Sequence, residues 1–316
     1  MTDLKLGVLL WNQASSWPEI LDATRRVERL GYDHLWAWDH LYAIFGDPYQ
    51  PIFEGWMSLA AYAASTERIR LGLLVGANTF RNPGLIAKMA TTLDHISGGR
   101  AILGVGGAWF DLEHQAHGIE FGSGFGQRLD WLDESVGAMR AVLDGQSVTS
   151  RPGSHYAFDD LRHQPLPIQP RLPIMIGGSG EKKTLRTVAR YADMWNAMGP
   201  LELMAHKVEV LRGHCEAVGR DIGEIEFTLG VKLTIRDSKA DAIRVREAAM
   251  VRNRTPHSEI ADDDTFWEGS AEEIADRLRP YVDLGFRTII SEQPAPHDVE
   301  TLERFIGEVK PLIDQG

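Results

Sequence analysis

The chain has 316 residues, of which 43% are hydrophobic and 25% charged, the proportions of an ordinary globular protein. Its formal net charge of −12 argues against nucleic acid or an anionic membrane as the natural partner. No run reaches the roughly 18 apolar residues of a membrane span, and the single cysteine, Cys215, excludes an intrachain disulfide, so we expect a cytoplasmic protein.

Short apolar runs alternate with helical patterns along the whole chain. The predicted strands are Leu4–Leu10, Tyr32–Trp38, Ile69–Gly76, Ala101–Gly107, Pro173–Ile176, Asp193–Met198, Glu226–Ile235 and Arg287–Ser291. The predicted helices are Pro18–Leu30, Gly55–Ala64, Pro83–Ile96, Gln127–Leu143, Thr184–Ala192, Glu202–Val218, Ala271–Leu284 and Thr301–Ile313. Because the strands are almost continuously apolar, they indicate a parallel sheet that is buried on both faces.

This alternation predicts one α/β domain over residues 1–316, folded as a (β/α)8 TIM barrel. An open doubly wound sheet is the alternative, and it is less favoured because no Gly-x-Gly-x-x-Gly turn follows the first strand. Three stretches exceed ordinary loop length, and we predict them as insertion loops after strands 2, 4 and 7. They are Leu41–Glu54, Gly145–Leu172 and Arg252–Gly269.

The chemistry of a barrel lies where its strands end. Here the strand ends carry mainly small, aromatic and amide side chains, with few carboxylates and one histidine. They include Trp11-Asn12-Gln13, Asp39-His40, Gly76-Ala77-Asn78-Thr79, Gly106-Gly107-Ala108-Trp109 and Asn196-Ala197-Met198. A metal-dependent hydrolase needs several acidic or histidine ligands and a glycosidase needs two opposed carboxylates, so we predict neither, and no metal. The lining suits a flat aromatic cofactor.

A glycine-rich turn follows the fifth strand. The apolar run from Ile174 ends in Gly177-Gly178-Ser179-Gly180, and a basic, amphipathic helical pattern comes next. Main-chain N–H groups at such a turn attract phosphate, and late strands of barrels commonly hold the phosphate of a cofactor. The alternative is a tight turn that binds no ligand.

Four segments resemble the bacterial luciferase-like monooxygenase superfamily: Leu35–His40, Gly72–Pro83, Lys88–Arg100 and Ile174–Gly180. The chain is most similar to the branch that uses the deazaflavin coenzyme F420, whereas the other branch uses FMN. The resemblance implies an oxidoreductase that transfers a hydride to or from a small organic substrate. An FMN-dependent monooxygenase that uses reduced flavin and O2 is the first alternative, and a non-catalytic flavin-binding relative is the second. Because relatives are often dimers, we also expect a homodimer.

The resemblance assigns roles to individual residues. His40 would be catalytic, placed near the reactive carbon of the ring. Leu74-Val75-Gly76 would form a bulge where this superfamily often has a non-proline cis peptide. The full set implied to bind the cofactor is Asp39, Leu74, Val75, Gly76, Ala77, Asn78, Gly106, Gly177, Gly178, Ser179 and Gly180.

The chain departs from the F420 branch at one position. Sugar-phosphate and secondary-alcohol dehydrogenases of that branch have a glutamate shortly after the Gly-Val-Gly of strand four, where this chain has Trp109. Their substrates are therefore not expected here. Glu113 and His114 follow one helical turn later, either as a substitute acid–base pair or as a solvated helix start. We expect a hydrophobic substrate pocket lined by Trp11, Trp109, Phe110 and His114.

Overall fold

The computed structural model describes residues 4–260, 263 and 265–314. Its strands are β1 (Lys5–Leu10), β2 (His34–Ala37), β3 (Arg70–Leu73), β4 (Gly76–Ala77), β5 (Ala101–Gly106), β6 (Ile174–Gly177), β7 (Met194–Ala197), β8 (Glu226–Ile235), β9 (Phe266–Gly269) and β10 (Phe286–Gln293). Its helices are α1 (Trp17–Leu30), α2 (Gly55–Ala64), α3 (Pro83–Ser97), α4 (Asp111–His117), α5 (Phe125–Leu143), α6 (Thr184–Tyr191), α7 (Leu201–Val218), α8 (Lys239–Arg252), α9 (Ala271–Asp283), α10 (Val299–Arg304) and α11 (Lys310–Asp314). Among these helices, none combines the length and apolar character that crossing a membrane requires.

The strands close into a parallel barrel. β10 pairs with β1 on one side and with β8 on the other, which joins the two ends of the sheet. β3 and β4 together occupy one barrel position, since both pair with β5. β9 pairs with the carboxyl-terminal half of β8 and extends the sheet outside the barrel. The predicted eight-stranded (β/α)8 barrel is therefore confirmed.

Both faces of the strands are buried, which explains their continuous apolar runs. Along β1, Leu6 and Val8 pack in the cluster between the barrel and the helices. Leu9 points the other way, into a second cluster with Trp36 and Ile290 inside the barrel. Successive strand residues alternate between faces, so each strand contributes to both clusters. The interior is a packed core, and barrels of this kind bind their ligands at the carboxyl ends of the strands.

Helix α1 ends at Leu30 as its sequence predicts and begins at Trp17, one residue before the predicted start. Ser16 and Glu19 form a reciprocal capping box at its start. At its other end Gly31 adopts a left-handed conformation with φ of 90°, which glycine tolerates at a helix C-terminus. The helix therefore packs against β1 with defined ends.

The chain after β8 contains more regular structure than the sequence predicts. The range Arg252–Gly269 was predicted as a loop, but its last four residues form β9. Phe266 and Trp267 are buried there because β8 continues past the barrel and offers an edge for pairing. Helices α4 and α8 are also missing from the prediction. Residues 261, 262 and 264 of the predicted loop lie outside the described residues.

The predicted third strand, Ile69–Gly76, is interrupted near its end. The Leu74–Val75 peptide bond is cis, at the bulge that the resemblance implies. The chain leaves β3 there and resumes pairing with β5 through β4. Val75 is thereby brought to the open end of the barrel.

Glycines allow this bend to lie directly against the neighbouring strand. A Cβ atom on Gly104 would stand 1.8 Å from the carbonyl oxygen of Leu73, and one on Gly76 would stand 2.9 Å from the carbonyl oxygen of Gly104. A Cβ on Gly106 would meet a methyl group of Val75 at 2.7 Å. Side chains at these positions are excluded by main chain or by Val75 itself.

We expect Gly104→Ala to lower the free energy of unfolding by at least about 3 kcal/mol, because main-chain atoms cannot yield to the added methyl group without losing strand pairing. Gly213→Ala in α7 is the control, since its Cβ meets nothing within 4 Å. That variant should be as stable as the wild type or gain up to about 1 kcal/mol. Urea denaturation followed by circular dichroism measures both. Equal stabilities of the two variants would contradict the close approach of Gly104 to the carbonyl oxygen of Leu73.

Candidate functional site

A cavity of about 370 Å³ opens at the carboxyl ends of the barrel strands. This volume lies within the range of small-molecule sites. The lining residues come from the loop after β2, from the bulge after β3 together with β4, from the ends of β5, β6 and β7 and the residues after them, from α4 and α5, and from β8 and β10. They are Trp38, Asp39, His40, Ile44, Phe45, Leu74, Val75, Gly76, Ala77, Gly106, Gly107, Ala108, Trp109, Glu113, Phe125, Gly177, Gly178, Asn196, Met198, Lys232 and Glu292.

His40 is held by a buried carboxylate. Its Nδ1 lies 3.0 Å from Oε1 of Glu113, whose side chain is 1% exposed. The other oxygen, Oε2, accepts a hydrogen bond from the N–H of Leu41 at 2.8 Å. Glu113 therefore fixes both the imidazole and the chain beside it, and the contact leaves Nε2 of His40 for a ligand. The sequence leaves two alternatives for Glu113, an acid–base partner or a solvated residue at a helix start. The second is wrong, because the side chain is buried.

Asp39 has partners other than His40. Its carboxylate oxygens bind the Arg81 guanidinium at 2.8 and 3.0 Å, and Oδ2 also accepts from the N–H of Ala77 at 3.0 Å. Arg81 binds Glu54 as well. Burial raises the pKa of Asp39, and the adjacent guanidinium opposes that rise. Asp39 thus lines the cavity while tying the end of β2 to β4.

The glycine-rich turn contributes main chain to the cavity wall. Gly177 and Gly178 line it, and a Cβ on Gly177 would meet Val75 at 2.8 Å. Gly178 has φ of 116°, and its N–H donates to the carbonyl oxygen of Asn196 at 3.0 Å. Ser179 and Gly180 continue away from the lining towards α6. Three turn residues separate Gly180 from Thr184, where α6 begins.

Two predicted pocket residues are packed behind the wall. Trp11 is fully buried and stacks on Phe45, with ring centroids 4.4 Å apart. His114 is also fully buried: Nδ1 lies 2.7 Å from the carbonyl oxygen of Phe110 and Nε2 lies 2.6 Å from Oγ1 of Thr79. Burial lowers the pKa of His114. The structure gives both ring nitrogens of His114 a partner within the fold and does not bring Trp11 or His114 to the cavity.

The remaining predicted residues divide between the rim and the interior. Trp109 lines the cavity, is 59% exposed, and lies with its ring centroid 5.6 Å from that of His40. Phe110 is not a lining residue but stacks on Trp109 at 5.2 Å. Asn78 is buried, and its Nδ2 donates to the hydroxyl of Tyr156 at 3.0 Å. Asn78 therefore supports the wall from behind.

The fold agrees with that of known proteins. The profile of the luciferase-like monooxygenase family matches residues 5–288. The chain belongs to this family.

Two relatives match this chain over different shares of its length. An uncharacterized protein of Mycobacterium tuberculosis is 34% identical over 55% of this chain, and the match spans 60% of that protein's length. The F420-dependent glucose-6-phosphate dehydrogenase of Kineococcus radiotolerans is 27% identical over 98% of this chain and 97% of its own. The second match extends over nearly the whole barrel.

Solved structures of low identity share the fold. An F420-dependent secondary alcohol dehydrogenase, in complex with an F420-acetone adduct, superposes with a TM-score of 0.83 at 18% identity and covers 99% of both chains. The monooxygenase RslO1 from Streptomyces bottropensis superposes with a TM-score of 0.79 at 20% identity, covering 98% of this chain and 99% of its own. An F420-dependent dehydrogenase and a monooxygenase therefore share this barrel fold.

Sequence reasoning missed the polar side chains at the last two barrel strands. Lys232 and Glu292 line the cavity although both are at least nine-tenths buried. The sequence contains a sign of both residues, because Lys232 interrupts an apolar strand and Glu292 follows Ser291, where the predicted eighth strand ends.

Within residues 4–260, 263 and 265–314, no group of three or more His, Cys, Asp or Glu side chains is placed to hold a metal ion.

Proposed function

We propose that this chain is an oxidoreductase that binds the deazaflavin coenzyme F420 and transfers a hydride to or from a small organic substrate. One observation carries the proposal: His40, backed by Glu113, lines a cavity whose lining also includes the glycines Gly76, Gly106 and Gly177. The relatives that match nearly the full chain are F420-dependent dehydrogenases, which favours this cofactor.

The residues present fit such a cofactor. A flat ring requires close main-chain approach, and the wall built from Leu74 to Ala77 with Gly106 offers it without side chains on the glycines. We assign the phosphate to the main chain of Ser179 and Gly180, next to the lining residues Gly177 and Gly178. The bound cofactor would supply the carbon that carries the hydride.

His40 would manage the proton that accompanies hydride transfer. Glu113 accepts from Nδ1, which selects the tautomer with Nε2 unprotonated and directed to the substrate. When the substrate is an alcohol, Nε2 takes its proton, and when it is a carbonyl compound, the protonated imidazole returns one. Trp38, whose ring centroid lies 6.3 Å from that of His40, and Phe45 add apolar lining that would limit water beside this exchange.

The rim favours an apolar substrate over a sugar phosphate. Trp109 stands where related sugar-phosphate dehydrogenases have a glutamate, and Phe125 beside it is 51% exposed. Two exposed aromatic side chains at a cavity mouth provide a surface for an apolar molecule. We therefore do not extend glucose 6-phosphate to this chain.

An FMN-dependent monooxygenase is the second candidate, because the monooxygenase RslO1 shares the fold and FMN has a tricyclic ring and a phosphate. A deazaflavin has carbon in place of the flavin N5 nitrogen and is a poor activator of oxygen, so the cofactor decides the reaction. A non-catalytic relative is disfavoured, since cofactor binding alone does not call for an imidazole in the cavity that a buried carboxylate orients.

We also propose that residues 1–316 form one cytoplasmic domain that pairs as a homodimer through α2 and α3. Met57 on α2 is 73% exposed and Leu85 on α3 is 51% exposed, which supports an apolar contact on these helices. Because the chain has a net charge of −12, we propose neither nucleic acid nor a membrane as its partner.

Sedimentation equilibrium at micromolar concentration should give twice the chain mass, and the mass of one chain would reject the dimer.

Titration with both cofactors tests the assignment. The wild type should quench or shift F420 fluorescence with a dissociation constant of about 1 μM or lower, and FMN should bind at least about tenfold more weakly. Gly178→Asp should abolish binding of both, because a carboxylate would repel the phosphate. Gly153→Asp is the control, since Gly153 also has positive φ, 86°, but lies in an exposed loop. Tighter binding of FMN than F420 would favour the monooxygenase.

His40→Gln should reduce turnover by at least about 100-fold, the contribution of a positioned acid–base group, while F420 affinity stays within about threefold. Turnover is followed as F420 reduction or oxidation with a panel of small alcohols and carbonyl compounds. His117→Gln, an exposed position on α4, should keep wild-type rates. Wild-type turnover by His40→Gln would exclude His40 from catalysis.

A further inference from the structure

The proposed proton exchange leaves a second polar part of the cavity unused. Lys232 of β8 and Glu292 of β10 are direct partners in the register of two adjacent strands, and both line the cavity. Lys232 is 7% exposed and Glu292 is 5% exposed. Charged side chains are almost never buried this deeply unless they are paired or used.

The ammonium group of Lys232 is positioned but not fully bonded. Its Nζ lies 3.0 Å from Oδ2 of Asp263 and also donates to Oγ1 of Thr265. The ring of Phe266 is 4.9 Å from Nζ on another side. An ammonium group has three N–H donors, so these two acceptors leave one donor for a ligand in the cavity.

The carboxylate of Glu292 has spare acceptor capacity. Within the described part of the chain, the donor that the structure gives it is Nε1 of Trp11, at 3.3 Å from Oε2. A carboxylate can accept about four hydrogen bonds. Burial raises the pKa of Glu292, and Lys232 opposes that rise. A ligand group that donates to Oε1 would stabilise this buried acid.

The ion pair with Asp263 accounts for the charge of Lys232 in part, whereas the described part of the chain places no cation within ion-pair distance of Glu292. Elsewhere the barrel interior is filled by apolar side chains such as Leu9, Ile102 and Ile290. Replacing buried charges by apolar residues of similar size is often neutral or stabilising, so packing alone does not explain Lys232 and Glu292. Binding a polar ligand group does explain them.

Aromatic rings separate this part of the cavity from His40. The ring of Trp38 lies 6.3 Å from that of His40 and 6.1 Å from that of Phe45. Phe45 in turn lies 5.8 Å from Nζ of Lys232. A molecule that reached from His40 to Lys232 would cross an apolar surface between two polar ends.

We propose that Lys232 and Glu292 bind a hydroxyl group at one end of an apolar substrate, whose other end exchanges hydride beside His40. The hydroxyl oxygen accepts from Nζ of Lys232, and its hydrogen is donated to Glu292. A single hydroxyl meets both needs because it is donor and acceptor at once. A methyl group in its place leaves the third N–H of Lys232 and Oε1 of Glu292 without a ligand partner, which such sites reject strongly. The orientation of the substrate rests on the proposed function, whereas the binding of the hydroxyl does not.

The test compares two probes that differ in this group, 4-hydroxyacetophenone and 4-methylacetophenone, by isothermal titration with and without saturating F420. The wild type should bind the hydroxyl probe at least about 30-fold more tightly. Glu292→Gln and Lys232→Met should each reduce this preference to less than about threefold, chiefly by weakening the hydroxyl probe. Glu226→Gln is the matched control, because Glu226 stands at the opposite end of β8 and binds Lys5 and Thr288.

F420 affinity, measured by fluorescence on the same variants, separates the possible outcomes. It should be unchanged in Glu292→Gln and Lys232→Met. Equal binding of both probes to the wild type, or a preference that survives in both variants, would overturn the inference. Loss of F420 affinity with an intact preference would assign the pair to the cofactor and also overturn it. Failure of the wild type to bind F420, with the preference still dependent on the pair, would reject the proposed function and support this inference.

Discussion

The contact between main-chain atoms of β3, β4 and β5 is the constraint on which the site depends. Gly104 admits the carbonyl oxygen of Leu73, and Gly76 lies against the carbonyl oxygen of Gly104. This approach displaces the chain at Leu74–Val75 and places Val75 at the open end of the barrel. The resulting wall consists of main chain and small side chains, which is the surface that a flat ring needs. The cofactor binding that we propose would thus use the same glycines as barrel packing.

Functional groups surround this wall at fixed positions because buried partners hold them. Glu113 connects α4 to His40, and Arg81 connects the loop after β4 to Asp39. Each connection joins a charged side chain to a distant segment across a low-dielectric region, where hydrogen bonds are strong. A change at Glu113 therefore acts on the site through the orientation of His40, although Glu113 follows a different strand.

The sequence predicts the barrel well because the alternation of apolar runs with amphipathic helices reflects directly which residues are buried. It also locates the wall and His40, through strand ends and glycines. It does not predict the His40–Glu113 contact, since those residues are 73 positions apart and periodicity carries no information on such pairs. Trp11 was expected in the pocket because it follows a strand, but Phe45 of the next loop covers it. Glu292 escapes sequence analysis because the predicted eighth strand ends at Ser291, two residues before the end of β10.

A crystal structure of the protein with bound F420 tests the central claim most directly. We expect the ring to lie against Val75 and Gly76, with its hydride-bearing carbon and Nε2 of His40 facing one space large enough for a substrate. The phosphate should contact main-chain N–H groups at Ser179 and Gly180. A ring bound away from Val75, or a phosphate remote from Ser179, would contradict the claim that this glycine-built wall is the cofactor site.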